Sequence, residues 1–435
     1  MNKAGNRTVL ISGASIAGPA LAYWLREYGF EPTVVELAPA LRGGGQAVDF
    51  RGDTHFTVLQ RMGVLPELRR IRTAGSPIRF VDEGGRTLLD LPSDFAGGDL
   101  EVLRGDLAKV LYEHSLPGTE YVFGDTITRL TETASGVRAE FRHGPEREFG
   151  LVIGADGLHS QVRRLAFGPE EQYVRHLGYY VAVWQLANSW GVTHGSLAHN
   201  QPGRMAAVAA DHRDPRRAGA MAMFASPRLD YDRRDPSQHR RIINDALSGM
   251  GWEVPRILDS LGTCSPASTT SPASPSSPAS PASPASPASP AAPDEAPGPE
   301  LYFDSISRSE VPHWSKGRIA LLGDAACGAA IGGMGTGSAI VAAYVLAGEL
   351  ARADGDHRAA FDRYESRLRS YARGCRQGGA RVGKFLAPRT RAGMRFRNAL
   401  LSRPVFMGAM ISVGKKVSST VELPDYAAGP GAVHH

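Results

Sequence analysis

Between Thr8 and Glu36 the sequence TVLISGASIAGPALAYWLREYGFEPTVVE leaves the chain few ways to fold. The apolar run Val9 to Ile11, flanked by Thr8 and rich in β-branched residues, has the character of a buried strand and breaks at Gly13. From Ala17 to Tyr28 the residues Ala17, Ala20, Leu21, Trp24, Leu25 and Tyr28 recur at helical spacing, and Gly29 supplies a left-handed stop. Pro32 to Glu36 follows as a second buried strand with an acidic end. Strand, glycine turn, helix and strand in that order predict a parallel βαβ unit.

The residue types at the turn point to a dinucleotide. Gly13 makes the turn tight, Gly18 lets the helix pack closely on the strand, and the first helical N–H groups present partial positive charge to a pyrophosphate. Ser15 stands where the pattern has its middle glycine, and its hydroxyl can bond a phosphate oxygen. Gly13, Ser15, Ala17 and Gly18 are thus the expected pyrophosphate corner. Glu36 is placed to accept ribose hydroxyls and would repel a 2′-phosphate, which favours FAD or NAD over NADP at this site.

With 435 residues there is material for two packed domains or one large one with a subsidiary lobe. A net charge of +5 without basic runs interleaved with stacking aromatics argues against a nucleic-acid partner. The basic residues Arg389, Arg391, Arg395, Arg397, Arg403, Lys415 and Lys416 read as a solvated helical face. Three scattered cysteines, Cys264, Cys327 and Cys375, indicate neither zinc nor disulfides, so no metal is expected and a reducing cytoplasm fits. MNKAGN runs directly into the first strand, so no signal peptide is expected. Ile319 to Leu350 is interrupted by Asp324 and several glycines and reads as strand, turn and buried helix, without a membrane partner. Asp53-Thr54-His55 and Asp211-His212 read as surface histidines rather than catalytic pairs.

Further along, Ile78 to Phe95 predicts a hairpin turning at Gly84-Gly85, and Leu103 to His114 a helix. Tyr121 to Phe123, Val137 to Phe141 and Phe149 to Ile153 read as strands, the last running into GADG. Tyr173 to Pro227 reads as an antiparallel sheet and Asp235 to Leu261 as helical. From Cys264 to Pro299 the chain is built largely of Ser-Pro-Ala triplets, a composition that predicts a disordered or polyproline-like surface insertion. A strand at Arg318 to Leu322, a small-residue helix and a second helix from Phe361 to Phe385 complete the pass.

Three separated pieces, GASIAG, GADGLHSQVRR (Gly154 to Arg164) and LLGDAACGAAIGGMGTG (Leu321 to Gly337), together resemble the group A flavoprotein monooxygenases, the p-hydroxybenzoate hydroxylase-like family that includes tetracycline-modifying and polyketide hydroxylases. The resemblance implies an α/β fold: a Rossmann-like, glutathione reductase-type FAD domain with a parallel sheet, an antiparallel-sheet substrate domain, and C-terminal helices. On this reading residues 1–73, 101–168 and 311–352 form the FAD domain. Residues 74–100 and 169–310 form the substrate domain with an insertion at about 263–299, and 353–435 the helical appendage.

The same resemblance implies that Asp156 and Gly157 lie beside the pyrophosphate and that Gly323 and Asp324 place a carboxylate on the ribityl hydroxyls. It implies too that Arg104 reaches back to the cofactor, and that a helix starting near Met334, with Gly335 and Thr336, points its dipole at the flavin. Leu37 replaces an arginine that often follows the ribose-binding acid, and Cys327, Ala329, Ala330 and Ile331 replace a histidine-or-aromatic and proline segment. Tyr180, Trp184, Met205 and Met223 are expected to line an apolar pocket over the flavin, and Arg51 is the candidate positive charge for a substrate phenolate.

No second nucleotide fingerprint occurs, so NAD(P)H is expected to bind transiently. FAD and O2 would then hydroxylate an aromatic or polyketide-like molecule through a flavin C4a-hydroperoxide, in a monomer or a homodimer. The altered Cys327 segment keeps two alternatives open: a cyclase with structural FAD acting on a polyene or polyketide, and a ligand-binding flavoprotein without turnover.

Overall fold

The computed structural model describes residues 6–262 apart from 42, 44, 45, 74 and 97, together with 301–328, 335–379, 382–408, 412 and 421–426. The Ser-Pro-Ala tract, Ala329 to Met334, and Lys415 and Lys416 lie outside the described residues.

The opening βαβ unit forms as its pattern dictates. Strand Thr8–Ser12 pairs in parallel with Glu31–Glu36 on one side and with Leu151–Gly154 on the other. The sheet runs Ser315–Lys316, Ile319–Leu321, Leu151–Gly154, Thr8–Ser12, Glu31–Glu36, Glu120–Phe123. Its pairings are parallel except at the Ser315–Lys316 edge. Val9, Leu10 and Ile11 have no exposed surface, as expected of a strand covered on both faces. Helices Ala17–Glu27 and Gly335–Arg352 pack together here, with Trp24 and Tyr344 meeting edge to face at 4.9 Å.

The reading of Phe149 to Ile153 as one strand is corrected at Gly150. Arg147–Phe149 belongs to a three-stranded antiparallel sheet with Val137–Phe141 and Ile127–Glu132, whereas Leu151–Gly154 belongs to the parallel sheet. A Cβ at Gly150 would lie 2.2 Å from the Asn6 carbonyl oxygen, so only glycine lets the chain cross between the sheets there.

The second large sheet has seven strands in the order Tyr302–Ser309, Val174–Ala187, Arg217–Ala225, Arg204–Ala210, Ser196–Gln201, Ile78–Val81, Thr87–Leu91. Its pairings are antiparallel except between Ser196–Gln201 and Ile78–Val81. Helices Pro236–Leu247 and Val254–Gly262 cover one face, breaking the predicted single helix where Gly249 (φ 72°) and Trp252 (φ 56°) take left-handed conformations. The other face packs on Val382–Leu386 and Arg391–Leu401. Helix His357–Gly379 flanks Gly335–Arg352, and the segment 421–426 returns to it, Tyr426 donating to the buried Glu349 carboxylate at 2.7 Å.

Candidate functional site

In-register pairing brings the ends of three strands into one row: Ser12 lies opposite Gly154, and Gly154 opposite Leu321. The three glycine-acid turns therefore leave the sheet side by side at its carboxyl edge, where open α/β sheets bind ligands. Gly13 (φ 108°) has its amide on the Val35 carbonyl at 2.8 Å, and a Cβ there would sit 2.6 Å from the Ala155 carbonyl oxygen. A Cβ on Gly18 would fall 1.9 Å from the Gly13 carbonyl oxygen. Gly323 (φ 61°) closes the third turn against Ala339 and Ala17.

Around these turns the polar side chains take distinct positions. Glu36 accepts the Ala14 amide at 2.8 Å on one oxygen and the Ala38 amide at 2.9 Å on the other. A carboxylate offers about four acceptor directions, so two remain for ribose hydroxyls. Leu37 points outward, 52% exposed. Arg104, at the start of helix Arg104–Ser115, donates to Ser15 Oγ at 3.2 Å, so the serine at the middle-glycine position carries a guanidinium over the turn. The same cation acts electrostatically on Asp324, which places it between the first and third corners.

Asp156 does something more local than pyrophosphate contact. Its oxygens accept Ser160 Oγ at 2.5 Å, the Gln161 amide at 2.8 Å, the Val162 amide at 3.1 Å and Ser12 Oγ at 3.2 Å. The carboxylate caps helix Gln161–Ala166 and ties it to the first strand, while Gly157 (φ 75°) turns the chain. Burial raises the pKa of Asp156 and these hydrogen bonds oppose that shift.

Asp324 is the contrasting acid. Burial raises its pKa and Arg104 only partly opposes this. Among the described residues no donor reaches its carboxylate, although its backbone carbonyl accepts Ser309 Oγ at 2.6 Å. A half-buried carboxylate held without donors beside a glycine cradle suits a ligand that brings hydroxyl groups of its own. Gly335 and Thr336 open helix Gly335–Arg352 next to it.

Sequence reasoning missed several supports. Arg163 is fully buried and donates to the Leu158 carbonyl at 2.5 Å and the Ala325 carbonyl at 2.9 Å, stapling the second corner to the third. The sequence does not separate it from Arg164, which bonds Gln161 at the surface. His55 is not a surface histidine: it is buried, pairs through Nε2 with the Tyr371 hydroxyl at 2.7 Å, and packs against Gly337. Burial and Arg51 lower its pKa to about 4, so it is neutral. Arg51 itself pairs with Asp49 and donates to the Phe95 carbonyl at 3.1 Å, so its charge already has a partner.

The expected substrate wall divides between two faces. Met205 and Met223 lie in register with Val181, on the face packed with Phe80, Phe385 and Leu386. Phe385 meets Phe95 at 5.3 Å, which joins this face to Arg51 of the nucleotide domain. Tyr180 and Trp184 point the other way, toward the two covering helices: Trp184 donates to Ser260 Oγ at 2.8 Å, and Tyr180 accepts the Leu229 amide at 2.8 Å. Side chains one apart on a strand occupy opposite faces, so Tyr180 and Trp184 cannot share a wall with the methionines. Tyr180 instead borders a charged cavity of about 680 Å³ with Arg164, Arg228, Arg233, Arg234 and Glu170 among its lining residues.

At this cavity's edge His159 is clasped between Glu170 and Asp304, each 3.1 Å away, which ties the second corner to strand Tyr302–Ser309. Burial disfavours the imidazolium, but the two carboxylates outweigh it and raise its pKa, while burial of Glu170 is outweighed by His159 and Arg233, leaving its pKa at about 2. A raised histidine pKa stabilises the fold fully below 6.5, and that contribution is lost as pH rises through the folded value. Melting temperature should fall by roughly 2 °C between about pH 6 and about pH 9. His159→Gln should flatten that slope in thermal scans, and an unchanged slope would remove the clasp as its cause.

Comparison with known proteins points to the same cofactor class. Residues 6–254 match the family described as FAD binding domain. A flavin-dependent monooxygenase of Legionella longbeachae is 31% identical over 427 residues, covering 97% of this chain and 98% of the relative. An uncharacterized protein of Mycobacterium tuberculosis is 36% identical over 372 residues, covering 84% of this chain and 90% of the relative. The crystal structure of tetracycline destructase Tet(55) superposes with a TM-score of 0.77 at 30% identity, covering 98% of this chain and 100% of that one.

Proposed function

The chain belongs to the FAD-binding-domain family of flavin-dependent monooxygenases, and from that premise we propose that it hydroxylates a planar aromatic or polyketide-like molecule with NAD(P)H and O2. The observation that carries the cofactor assignment is Asp324, whose carboxylate meets no donor among the described residues, at the third of the strand-end turns that pairing sets in one row. The similarity to a tetracycline destructase supports a fused-ring substrate.

The chain's own groups divide the work. Glu36 holds the adenosine ribose, Ser15 and Arg104 the pyrophosphate, and Asp324 the ribityl hydroxyls. Gly335 and Thr336 open a helix whose N-terminal partial positive charge would favour added negative charge on a flavin ring held there. Bound there, FAD supplies hydride acceptance from NAD(P)H and activation of dioxygen. The packed Met205 and Met223 face, joined through Phe385 to Phe95, would supply an apolar wall that keeps water from a flavin bound on its side.

The test is optical. Purified protein should be yellow, bleach when NADH or NADPH is added anaerobically, and recover colour with air, with faster bleaching when a tetracycline-like ligand is present. Product formed without bleaching would replace this reading with cyclisation, and neither bleaching nor product would leave a binding protein.

A further inference from the structure

From Ser366 to Val421 the sequence contains no aspartate or glutamate and thirteen arginines and lysines, leaving 36 basic against 44 acidic side chains in the rest of the chain. The charge asymmetry is thus concentrated in one stretch. Within it, helix Arg391–Leu401 is fixed from below by the buried Arg397. That guanidinium lies 4.2 Å from the Phe80 ring centre and donates to the Phe385 carbonyl and to Asn200 Oδ1, each at 2.9 Å. With Arg397 and Leu401 turned inward, helical geometry turns Arg391, Arg395, Phe396 and Ala399 outward.

What faces solvent is unusual for an exposed helix. Phe396 is 70%, Val405 80% and Phe406 43% exposed, three of the seven large hydrophobic side chains exposed among the described residues. In the same stretch Lys384, Arg391, Arg395 and Arg403 are exposed and, among the described residues, have no carboxylate partner. A merely solvated face would not need the phenylalanines, and an apolar contact with another protein would not need so many unpaired cations.

We propose that the exposed Phe396, Val405 and Phe406, together with the exposed Arg391, Arg395 and Arg403 of the same stretch, dock on an anionic phospholipid surface. Apolar side chains enter the headgroup boundary while the cations stay level with lipid phosphates, the arrangement of interfacial amphipathic helices. No helix among the described residues is long and apolar enough to cross a membrane, so the contact is peripheral. This revises the expectation of a purely solvated face without a membrane partner, and it stands apart from the catalytic reading.

The full-length protein should be sedimented with phosphatidylcholine vesicles with and without phosphatidylglycerol. It should sediment only with the anionic vesicles and be released by high salt. Phe396→Ser with Phe406→Ser, and separately Arg391→Glu with Arg395→Glu, should each weaken partitioning roughly tenfold at unchanged flavin content and circular dichroism. Failure to sediment with anionic vesicles, equal binding to both lipids, or binding that both variants keep would overturn the proposal. So would retention on polyglutamate in place of vesicles.

Discussion

Gly18→Ala should yield a protein that purifies colourless, with FAD affinity reduced more than roughly 100-fold. The added Cβ would lie 1.9 Å from the Gly13 carbonyl oxygen, a backbone atom that no rotamer change can move aside. Either helix Ala17–Glu27 lifts off the sheet or the Gly13 turn opens. The turn is held by its amide on the Val35 carbonyl and walled by Ala155, so it has nowhere to go. The helix is held too, through Trp24 on Tyr344. Forced overpacking of this kind costs about 1–3 kcal/mol, within reach of a domain this size, so the variant should still fold. What it loses is the alignment of the first helical amides, on which anion binding depends. Fluorescence titration of apoprotein with FAD measures the effect. Wild-type affinity in Gly18→Ala would mean that the pyrophosphate sits elsewhere.

How much of this was legible follows from how local each signal is. The unit from Thr8 to Glu36 is written in adjacent residues, because strand, turn and helix periods all lie within one short stretch. The break at Gly150 was not legible, since what forbids a side chain there is the carbonyl of Asn6, far back in the chain. The two faces of the roof sheet illustrate a subtler loss. Alternation along Val174–Ala187 separates Tyr180 from Val181 in any register, but which parity meets the nucleotide domain depends on where helices Pro236–Leu247 and Val254–Gly262 settle. Asp156 likewise carries a motif whose spacing is visible. Only the folded chain shows that four donors already occupy its carboxylate, and that among the described residues none reaches Asp324.

That contrast gives Asp324→Asn opposite effects on apoprotein stability and on cofactor binding. Burial raises the pKa of Asp324, so the folded state binds its proton more tightly than the unfolded chain does. For an acid the sign is then unfavourable: stability falls as pH rises from the unfolded value of 3.8 through the folded one, and at neutral pH the ionised group is a net burden. An amide carries no charge to desolvate, so apo Asp324→Asn should melt roughly 2 °C higher than apo wild type at neutral pH. The gain should vanish in acid, where both proteins carry a neutral group at this position. FAD reverses the order. A carboxylate accepting ligand hydroxyls makes charge-assisted bonds worth about 1.5–3 kcal/mol each, and an amide with one carbonyl acceptor forfeits much of that, so the variant should bind FAD roughly 100-fold more weakly. Melting curves with and without saturating FAD should therefore cross between the two proteins. If the apoprotein is instead destabilised by the amide, Asp324 has a partner in the fold and is not held open for a cofactor; if FAD affinity is unchanged, the ribityl chain does not reach it.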